Sequence, residues 1–279
     1  MTETHWRGYS EDPRIALDAA GQYLRARPVE HNVLLGLLED RIAVPVAGRY
    51  WWVEREGQVV AFAFQSPITF LAGITASDRQ AAAALAEAVA ATEPGIPALV
   101  GEAGAAATFA GWYATLRKTP VTPLEGQRLY RLGTLVQPTG VAGSLRLATA
   151  EDEPLVVAWS VEFVRDIGGE NSEDAAQSAK RRLAEGRVWI WEDGSPVSVA
   201  MVPATVERVS RVGFVYTPPE HRRRGYAAAL TAAVSERCLA AGADTCVLFT
   251  QLSNPTSNAI YQRIGYEAVQ EAVAYRIGG

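Results

Sequence analysis

Two stretches of the chain repeat one local plan, and this repeat restricts the fold more than any other sequence feature. The segments are RYWWVEREGQVVAFAFQSP (49–67) and RVWIWEDGSPVSVAMVPAT (187–205). Each has an apolar run rich in Trp and Val, a charged turn with glycine and a second apolar run, the pattern of a β-hairpin. A second pair of segments, LYRLG (129–133) and AYRIG (274–278), closes the two copies.

The elements between these markers also follow one order. The first half predicts a helix over 77–92 with Ser77 as its cap, a strand over 97–102 and a helix over 106–118. The second half predicts a helix over 225–242, a strand over 244–252 and a helix over 254–265 that is capped by Asn254. We therefore expect two tandem α/β units, 1–134 and 145–279. They are joined by LVQPTGVAGS (135–144), a segment without charge.

Composition and charge disfavour several classes of protein. A net charge of −5 argues against a nucleic-acid partner, because such binding depends on neutralising phosphates. The sequence lacks an apolar run of bilayer length and an apolar signal segment, so we expect a cytoplasmic protein with no membrane partner. Cys238 and Cys246 form no metal-binding pattern with histidines. We predict two buried thiols rather than a disulfide, and no metal.

A dense basic cluster interrupts this acidic chain in PPEHRRRGYAAAL (218–230). Three arginines precede Gly225, where the helix is predicted to begin. The first N–H groups of a helix lack intrahelical partners and lie at the positive end of its dipole, so they can bind phosphate. Gly225 and Ala227 are small enough for a pyrophosphate to approach the backbone. The alternative is a set of solvated arginines near Glu220, although arginine is unfavourable at a helix start.

Two linked motifs resemble the GNAT superfamily of acyl-CoA-dependent N-acetyltransferases, and especially its FR47-like subgroup. The loop pattern R/Q-x-x-G-x-G/A is filled by Arg222, Gly225 and Ala227. About thirty residues later, the family's Asn…Tyr-x-x-x-Gly-Phe/Tyr segment is filled by Asn254, Tyr261, Gly265 and Tyr266. The resemblance implies an α/β (α+β) fold of two GNAT-like units, each a mixed, mostly antiparallel twisted sheet flanked by helices. It reaches the N-terminal half only through the internal repeat.

The resemblance implies acetyl-CoA as cofactor and assigns residues to it. Backbone groups of the strand end would pair with the pantetheine arm, and the loop amides would hold the pyrophosphate. The implied cofactor-binding residues are Val215, Tyr216, Thr217, Arg222, Arg223, Arg224, Gly225, Tyr226, Ala227, Asn254 and Asn258. Tyr261 matches the general acid, and a phenol with a pKa near ~10 is protonated at neutral pH. Alternatively, Tyr261 packs on the sheet and Asn254 is only a helix cap.

The acceptor side is predicted in VVAWSVEFVRDIGGENSED (156–174), which takes the place of the first helices of the family. Glu162 and Asp166 share a helix face because they are four residues apart. Glu162 is a candidate base or acceptor contact. Candidate acceptor contacts are Asp166, Glu170 and Trp191; the alternatives are surface carboxylates and a core tryptophan.

In the N-terminal half, FLAGITASDRQAAAAL (70–85) lacks the loop motif, so this half is interpreted as a copy that lost the cofactor. His31 is interpreted as a satisfied histidine near an apolar helix, with no assigned chemistry.

The functional expectation is transfer of an acetyl group from acetyl-CoA to a primary amine by direct attack in a ternary complex. The amine belongs to a small molecule or a peptide, and the protein is a monomer or a homodimer. The alternative is a non-catalytic acyl-CoA-binding sensor or scaffold. Retention of Tyr261 favours the enzyme, since cofactor binding alone needs only the loop.

Overall fold

The computed structural model describes residues 6–168 and 172–278. Contacts group the chain into two compact units, and neither is continuous in sequence. Unit 1 contains the described residues up to Leu129, together with Thr250–Ser253 and the residues from Val269 onward. Unit 2 contains Tyr130–Phe249 and Asn254–Ala268. The division into domains 1–134 and 145–279 stays a prediction, because residues from both sides of it contribute to each unit.

Unit 1 forms a mixed sheet with four helices in the described part of the chain. Its elements in chain order are β1 (Trp6–Ser10), α1 (Pro13–Arg25), α2 (Asn32–Ala43), β2 (Arg49–Arg55), β3 (Gln58–Gln65), β4 (Ala72–Ala76), α3 (Arg79–Ala90), β5 (Ala98–Glu102), α4 (Ala103–Arg117) and β6 (Val121–Leu132). The predicted hairpin over 49–67 and the predicted helices and strand are confirmed. Leu85 of α3 and Phe109 of α4 are fully buried in one core cluster of the unit.

One helix cap differs from the prediction. Asp78, not Ser77, caps α3, because the Asp78 carboxylate accepts the Ala81 N–H at 2.9 Å. The backbone N–H of Ser77 still donates to the Val60 carbonyl oxygen at 2.8 Å. The β3–β4 pairing therefore extends through Ser77, and the helix begins one residue later.

The C-terminal strand completes unit 1. This strand is β13 (Tyr266–Ile277), and its residues Ala272–Arg276 pair antiparallel with Glu102–Ala98 of β5. The strand order in unit 1 is β1-β2-β3-β4-β5-β13-β6. All pairings described for this unit are antiparallel except that of β4 with β5. Without β13, β5 would present an open edge.

Unit 2 has the same order of elements after the linker. These are β7 (Ser144–Leu147), α5 (Glu153–Asp166), α6 (Ser172–Ala184), β8 (Val188–Glu192), β9 (Pro196–Met201), β10 (Val209–Arg211), β11 (Gly213–Tyr216), α7 (Tyr226–Ala240), β12 (Thr245–Gln251) and α8 (Pro255–Arg263). Strands β11-β9-β8-β7 form an antiparallel sheet, and β10 pairs parallel with β12. The expected α/β class with mostly antiparallel sheets is confirmed. No helix of the described residues is long and apolar enough to span a bilayer.

His31 lies in a hydrogen-bonded group inside unit 1. Its Nδ1 is 3.0 Å from the Leu24 carbonyl oxygen, and its Nε2 is 2.9 Å from Thr75 Oγ1. A carbonyl oxygen only accepts, so Nδ1 carries the proton and Nε2 accepts from the Thr75 hydroxyl. Burial lowers the pKa of His31 below 6.5, so this side chain is neutral in the folded chain near neutral pH.

Truncation after Ala268 is expected to open unit 1 at β5. Removing the end of β13 deletes the strand that pairs with Ala98–Glu102, and an unpaired edge exchanges its amides quickly. Hydrogen exchange of the β5 amides should accelerate roughly 100-fold, while α7 in unit 2 keeps its protection. A chain ending at Gly278 is the control. Unchanged β5 protection in the truncated chain would contradict this pairing.

Unit 1 is expected to lose stability as the pH falls below 6.5. The pKa of His31 is lower in the folded chain than in the unfolded chain, so the unfolded chain takes up the proton first. The free energy of unfolding should therefore fall by up to about 1.4 kcal/mol per pH unit, between 6.5 and the folded pKa. Protection factors of α1 and α2 amides at about pH 7.5 and about pH 5.5 measure this change. His31→Gln should flatten the dependence, and an equal dependence in this variant would assign it to other groups.

Candidate active site

A bulge breaks the strand that leads to the basic loop. β10 pairs with β12, and the Val212 N–H still donates to the Val247 carbonyl oxygen at 2.9 Å. From Gly213 onward the chain pairs with β9 instead. Phe214 adopts φ +53°, a left-handed conformation that is rare for a bulky residue. β11 is consequently an edge strand of its sheet, and a ligand chain could pair with its outer side.

The loop after β11 leads to the backbone amides at the start of α7. It contains a short 3-10 turn over Pro219–His221, followed by Arg223 at φ +65° and Gly225 at φ +85°. The amides of residues 223–228 have no acceptor among the described residues. A Cβ atom on Gly225 would lie 2.9 Å from Val141 Cγ2, so a side chain would crowd this turn. The positive helix end and these N–H groups form an anion-binding geometry.

Tyr226 fixes the first turn of α7 to the rest of unit 2. Its side chain is buried, and its hydroxyl donates to Asp193 Oδ2 at 2.6 Å in the turn between β8 and β9. The tyrosine side chain therefore serves the fold, and only its backbone amide faces the loop. A cofactor contact through the backbone amide of Tyr226 stays a prediction.

Arg222 closes the loop on itself. Its Nε donates to the Thr217 carbonyl oxygen at 2.9 Å, and its guanidinium pairs with the Asp166 carboxylate. The guanidinium also lies over the Tyr216 ring, at 5.8 Å from the ring centroid. Asp166, predicted at the acceptor site, is thus placed beside the loop. Arg223 and Arg224 are exposed and have no hydrogen-bond or ion-pair partner among the described residues, so their charges are available to an anion.

Part of the strand-end backbone is already hydrogen-bonded within the protein. The Ser198 hydroxyl donates to the Tyr216 carbonyl oxygen at 2.8 Å and lies 2.8 Å from Thr217 Oγ1. The Thr217 carbonyl oxygen accepts from Arg222. Val215 lies between Phe214 and Tyr216 on β11, and it is half-buried. A cofactor contact at Val215, Tyr216 or Thr217 stays a prediction.

Tyr261 lies on α8 between two other aromatic rings. Asn254 caps this helix, since its Oδ1 accepts the Ser257 N–H at 3.0 Å. The Tyr261 ring centroid is 6.4 Å from that of Tyr130 and 6.2 Å from that of Tyr266. Burial raises the pKa of Tyr261 to about 12, so the hydroxyl keeps its proton near neutral pH. That hydroxyl forms no hydrogen bond with any described residue, and its proton is free for a ligand.

Asn258 supports this arrangement through its side-chain amide. Its Oδ1 accepts from the Tyr130 hydroxyl at 2.8 Å, and its Nδ2 donates to the Asn254 carbonyl oxygen at 2.7 Å. Asn258 thereby holds the ring that packs on Tyr261. A direct contact of Asn254 or Asn258 with a cofactor stays a prediction.

Glu162 and Tyr216 form a pair that the sequence interpretation missed. The Tyr216 hydroxyl donates to Glu162 Oε2 at 3.0 Å, so α5 and β11 meet at a carboxylate. Burial and then this carboxylate raise the pKa of Tyr216 to about 12. The sequence interpretation used only the backbone of Tyr216. The sequence feature that could have indicated this pair is the spacing of Phe214 and Tyr216, two aromatic residues that are two positions apart on β11.

Trp191, another predicted acceptor contact, does not join this pair. Trp191 packs in a different core cluster, with Tyr226 and Val197, and its Nε1 donates to the Ala142 carbonyl oxygen at 2.9 Å. Glu170 lies outside the described residues. The described part of the chain brings together no three His, Cys, Asp or Glu side chains that could hold a metal. Cys238 and Cys246 are free thiols; Cys246 is buried as predicted, whereas Cys238 is only half-buried.

Unit 1 has a different structure at the corresponding helix start. The Asp78 carboxylate accepts the Ala81 N–H of α3 and pairs with Arg55 at 2.7 Å. A side-chain carboxylate therefore occupies the positive helix end, whereas α7 of unit 2 presents free amides there. This contrast supports the interpretation that only the C-terminal copy retains a phosphate loop.

Comparison with known proteins identifies the fold. Residues 200–276 match the family model described as FR47-like protein. No curated protein sequence matches the chain significantly. A GNAT-family acetyltransferase from Colwellia psychrerythraea is 10% identical with a TM-score of 0.61, over 98% of this chain and 100% of that one.

Two further structures are similar over nearly the whole chain. A GCN5-related N-acetyltransferase from Sphaerobacter thermophilus is 16% identical with a TM-score of 0.62, over 98% of this chain and 95% of that one. A tandem GNAT protein from the clavulanic acid biosynthesis pathway is 14% identical with a TM-score of 0.57, over 98% of both chains. At these identities the similarity concerns the fold. The chain has the GNAT fold, and its residues 200–276 match the FR47-like family.

Proposed function

We propose that the protein is an N-acetyltransferase that moves an acetyl group from acetyl-CoA to a primary amine of a small molecule or peptide. One observation carries the proposal. The edge strand β11 leads, through a loop with Arg223 and Gly225 in left-handed conformations, to unpaired amides at the start of α7. An extended arm and a pyrophosphate need these two features side by side. Both lie inside the segment that matches the FR47-like family.

The residues of the loop fit the cofactor chemically. The amides of residues 223–228 and the helix dipole would hold the pyrophosphate, and the exposed Arg223 and Arg224 would neutralise phosphate charge. Arg222 would keep the loop closed through Thr217 and Asp166. When bound, acetyl-CoA supplies an acyl group activated as a thioester. The backbone of β11 would align the arm as an added strand.

Two side chains would move the protons. A primary amine is mostly protonated at neutral pH, so a base must take a proton before the amine attacks directly in the ternary complex. Glu162 would accept this proton, since Oε2 is held by Tyr216 and Oε1 has no partner among the described residues. The Tyr261 hydroxyl keeps its proton near neutral pH because the pKa of Tyr261 is raised to about 12. Tyr261 would donate this proton to the departing sulfur.

The phosphate loop is tested by Arg222→Glu combined with Gly225→Glu. The new carboxylates repel phosphate and fill the turn beside Val141, so the affinity for acetyl-CoA should fall roughly 100-fold or more by calorimetry. Arg237→Glu, at the other end of α7, makes the same arginine-to-glutamate change at an exposed position and is the control. Equal affinity of the loop variant and the control variant would remove the cofactor site from this loop.

The role of Tyr261 is tested by Tyr261→Phe. The variant keeps the ring but loses the proton donor, so acetyl-CoA affinity should be retained while the transfer rate falls about 100-fold. The matched control is Tyr266→Phe, because the neighbouring Tyr266 hydroxyl contacts Ser235 Oγ at 2.7 Å and serves packing. Release of CoA thiol measures the rate. An unaltered rate in Tyr261→Phe would make Tyr261 a packing residue, and cofactor binding without release for any amine would favour a sensor.

A further inference from the structure

Four aromatic side chains converge where α5 meets β11. The ring centroids of Phe163 and Phe214 are 4.4 Å apart, and Tyr216 lies 6.4 Å from Phe163 and 6.3 Å from Trp159. Trp159 and Tyr216 are buried, whereas Phe163 and Phe214 are only half-buried. The two phenylalanines therefore present apolar ring surface beside the edge strand.

The backbone conformation of Phe214 strengthens this observation. Phe214 has φ +53° at the bulge in β11, a strained conformation for an aromatic residue. Strained residues cluster at ligand sites, where the surrounding structure holds them. Here the contact with Phe163 holds the Phe214 ring toward α5. The bulge thus delivers an aromatic ring to the side of the strand where Glu162 lies.

One carboxylate beside this aromatic cluster has no basic partner and can bind a ligand. Glu162 accepts from Tyr216 through Oε2, and its Oε1 has no partner among the described residues. Asp166, one turn further along α5, is paired with Arg222. Arg165 is exposed on the same helix and adds a positive charge to this end. Glu153, the remaining acidic residue of α5, is paired with Lys180, so among the described residues of this helix one carboxylate is left to balance a ligand with one positive charge.

We propose that the acceptor is a monocationic primary amine that carries an aromatic group. Its ammonium group binds Glu162, and its ring packs on Phe163 and Phe214. This inference rests on the proposed function, because it names the acceptor class for the same site. It places the nitrogen on the base that would deprotonate it, and it disfavours polyamines and other polycations.

Binding of three amines distinguishes these chemistries without requiring catalysis. Calorimetry on the full chain with CoA present would compare 2-phenylethylamine, n-butylamine and spermidine. We expect 2-phenylethylamine to bind on the order of tenfold more tightly than n-butylamine, because only the former buries a ring. Spermidine should bind no more tightly than n-butylamine. Release of CoA thiol from acetyl-CoA would be followed with the same three amines.

Three variants assign the effect to residues. Phe163→Leu keeps an apolar side chain on α5 and should weaken the binding of 2-phenylethylamine several-fold and that of n-butylamine much less. Glu162→Gln keeps the shape of the side chain and should weaken both monoamines. The control is Glu153→Gln, which removes a carboxylate from the same helix at a site that faces Lys180. It should change neither affinity.

Each outcome separates this inference from the proposed function. Tighter binding of spermidine than of 2-phenylethylamine, equal weakening of both monoamines by Phe163→Leu, or no binding of any amine would overturn the acceptor class. The expected order of affinities without thiol release would support the acceptor site and contradict catalysis. Thiol release that is fastest with spermidine would support the transferase and overturn the aromatic acceptor.

Discussion

The geometry of the site depends on one break in hydrogen bonding, between Val212 and Phe214. Before the break the strand is bound to β12, and after it the strand is bound to β9. A continuous strand would keep its partner and leave no edge for an extended ligand. The same break starts the path into the loop at the N-terminus of α7. The proposed acceptor side and the proposed phosphate loop thus both depend on one local change in pairing.

Unit 1 has a similar order of elements, but its strand before the corresponding helix has no such break in pairing. Residues Gly73–Ala76 of its β4 pair with Phe64–Ala61 of β3 in one register, with no bulge. Asp78 then supplies its own carboxylate to the helix start and pairs with Arg55. The positive helix end is satisfied within the protein, so it offers little to a phosphate. Fold and site are therefore separable: the elements of a GNAT unit do not themselves make a cofactor loop.

Local patterns in the sequence predicted the local structure well. Both hairpins, the helix capped by Asn254 and the order of elements follow from periodicity and from turn residues. The pairing of β13 with β5 was not predicted, because a strand pattern does not specify its distant partner. The contact between Glu162 and Tyr216 was missed for a similar reason, since it depends on how α5 packs on β11. The motif of the basic loop was recognised in the sequence because its residues, Arg222, Gly225 and Ala227, lie close together along the chain.

Two tyrosines of unit 2 show why a raised pKa alone does not identify a proton donor. The pKa of Tyr216 and that of Tyr261 are both raised to about 12 by burial. The proton of Tyr216 is bound to Glu162, so releasing it would break an existing hydrogen bond. Tyr130 and Tyr266 also have hydroxyl partners, in Asn258 and Ser235. Tyr261 alone among these four rings has no hydroxyl partner among the described residues. A hydroxyl without a protein partner can donate its proton to a ligand atom without breaking a hydrogen bond inside the protein.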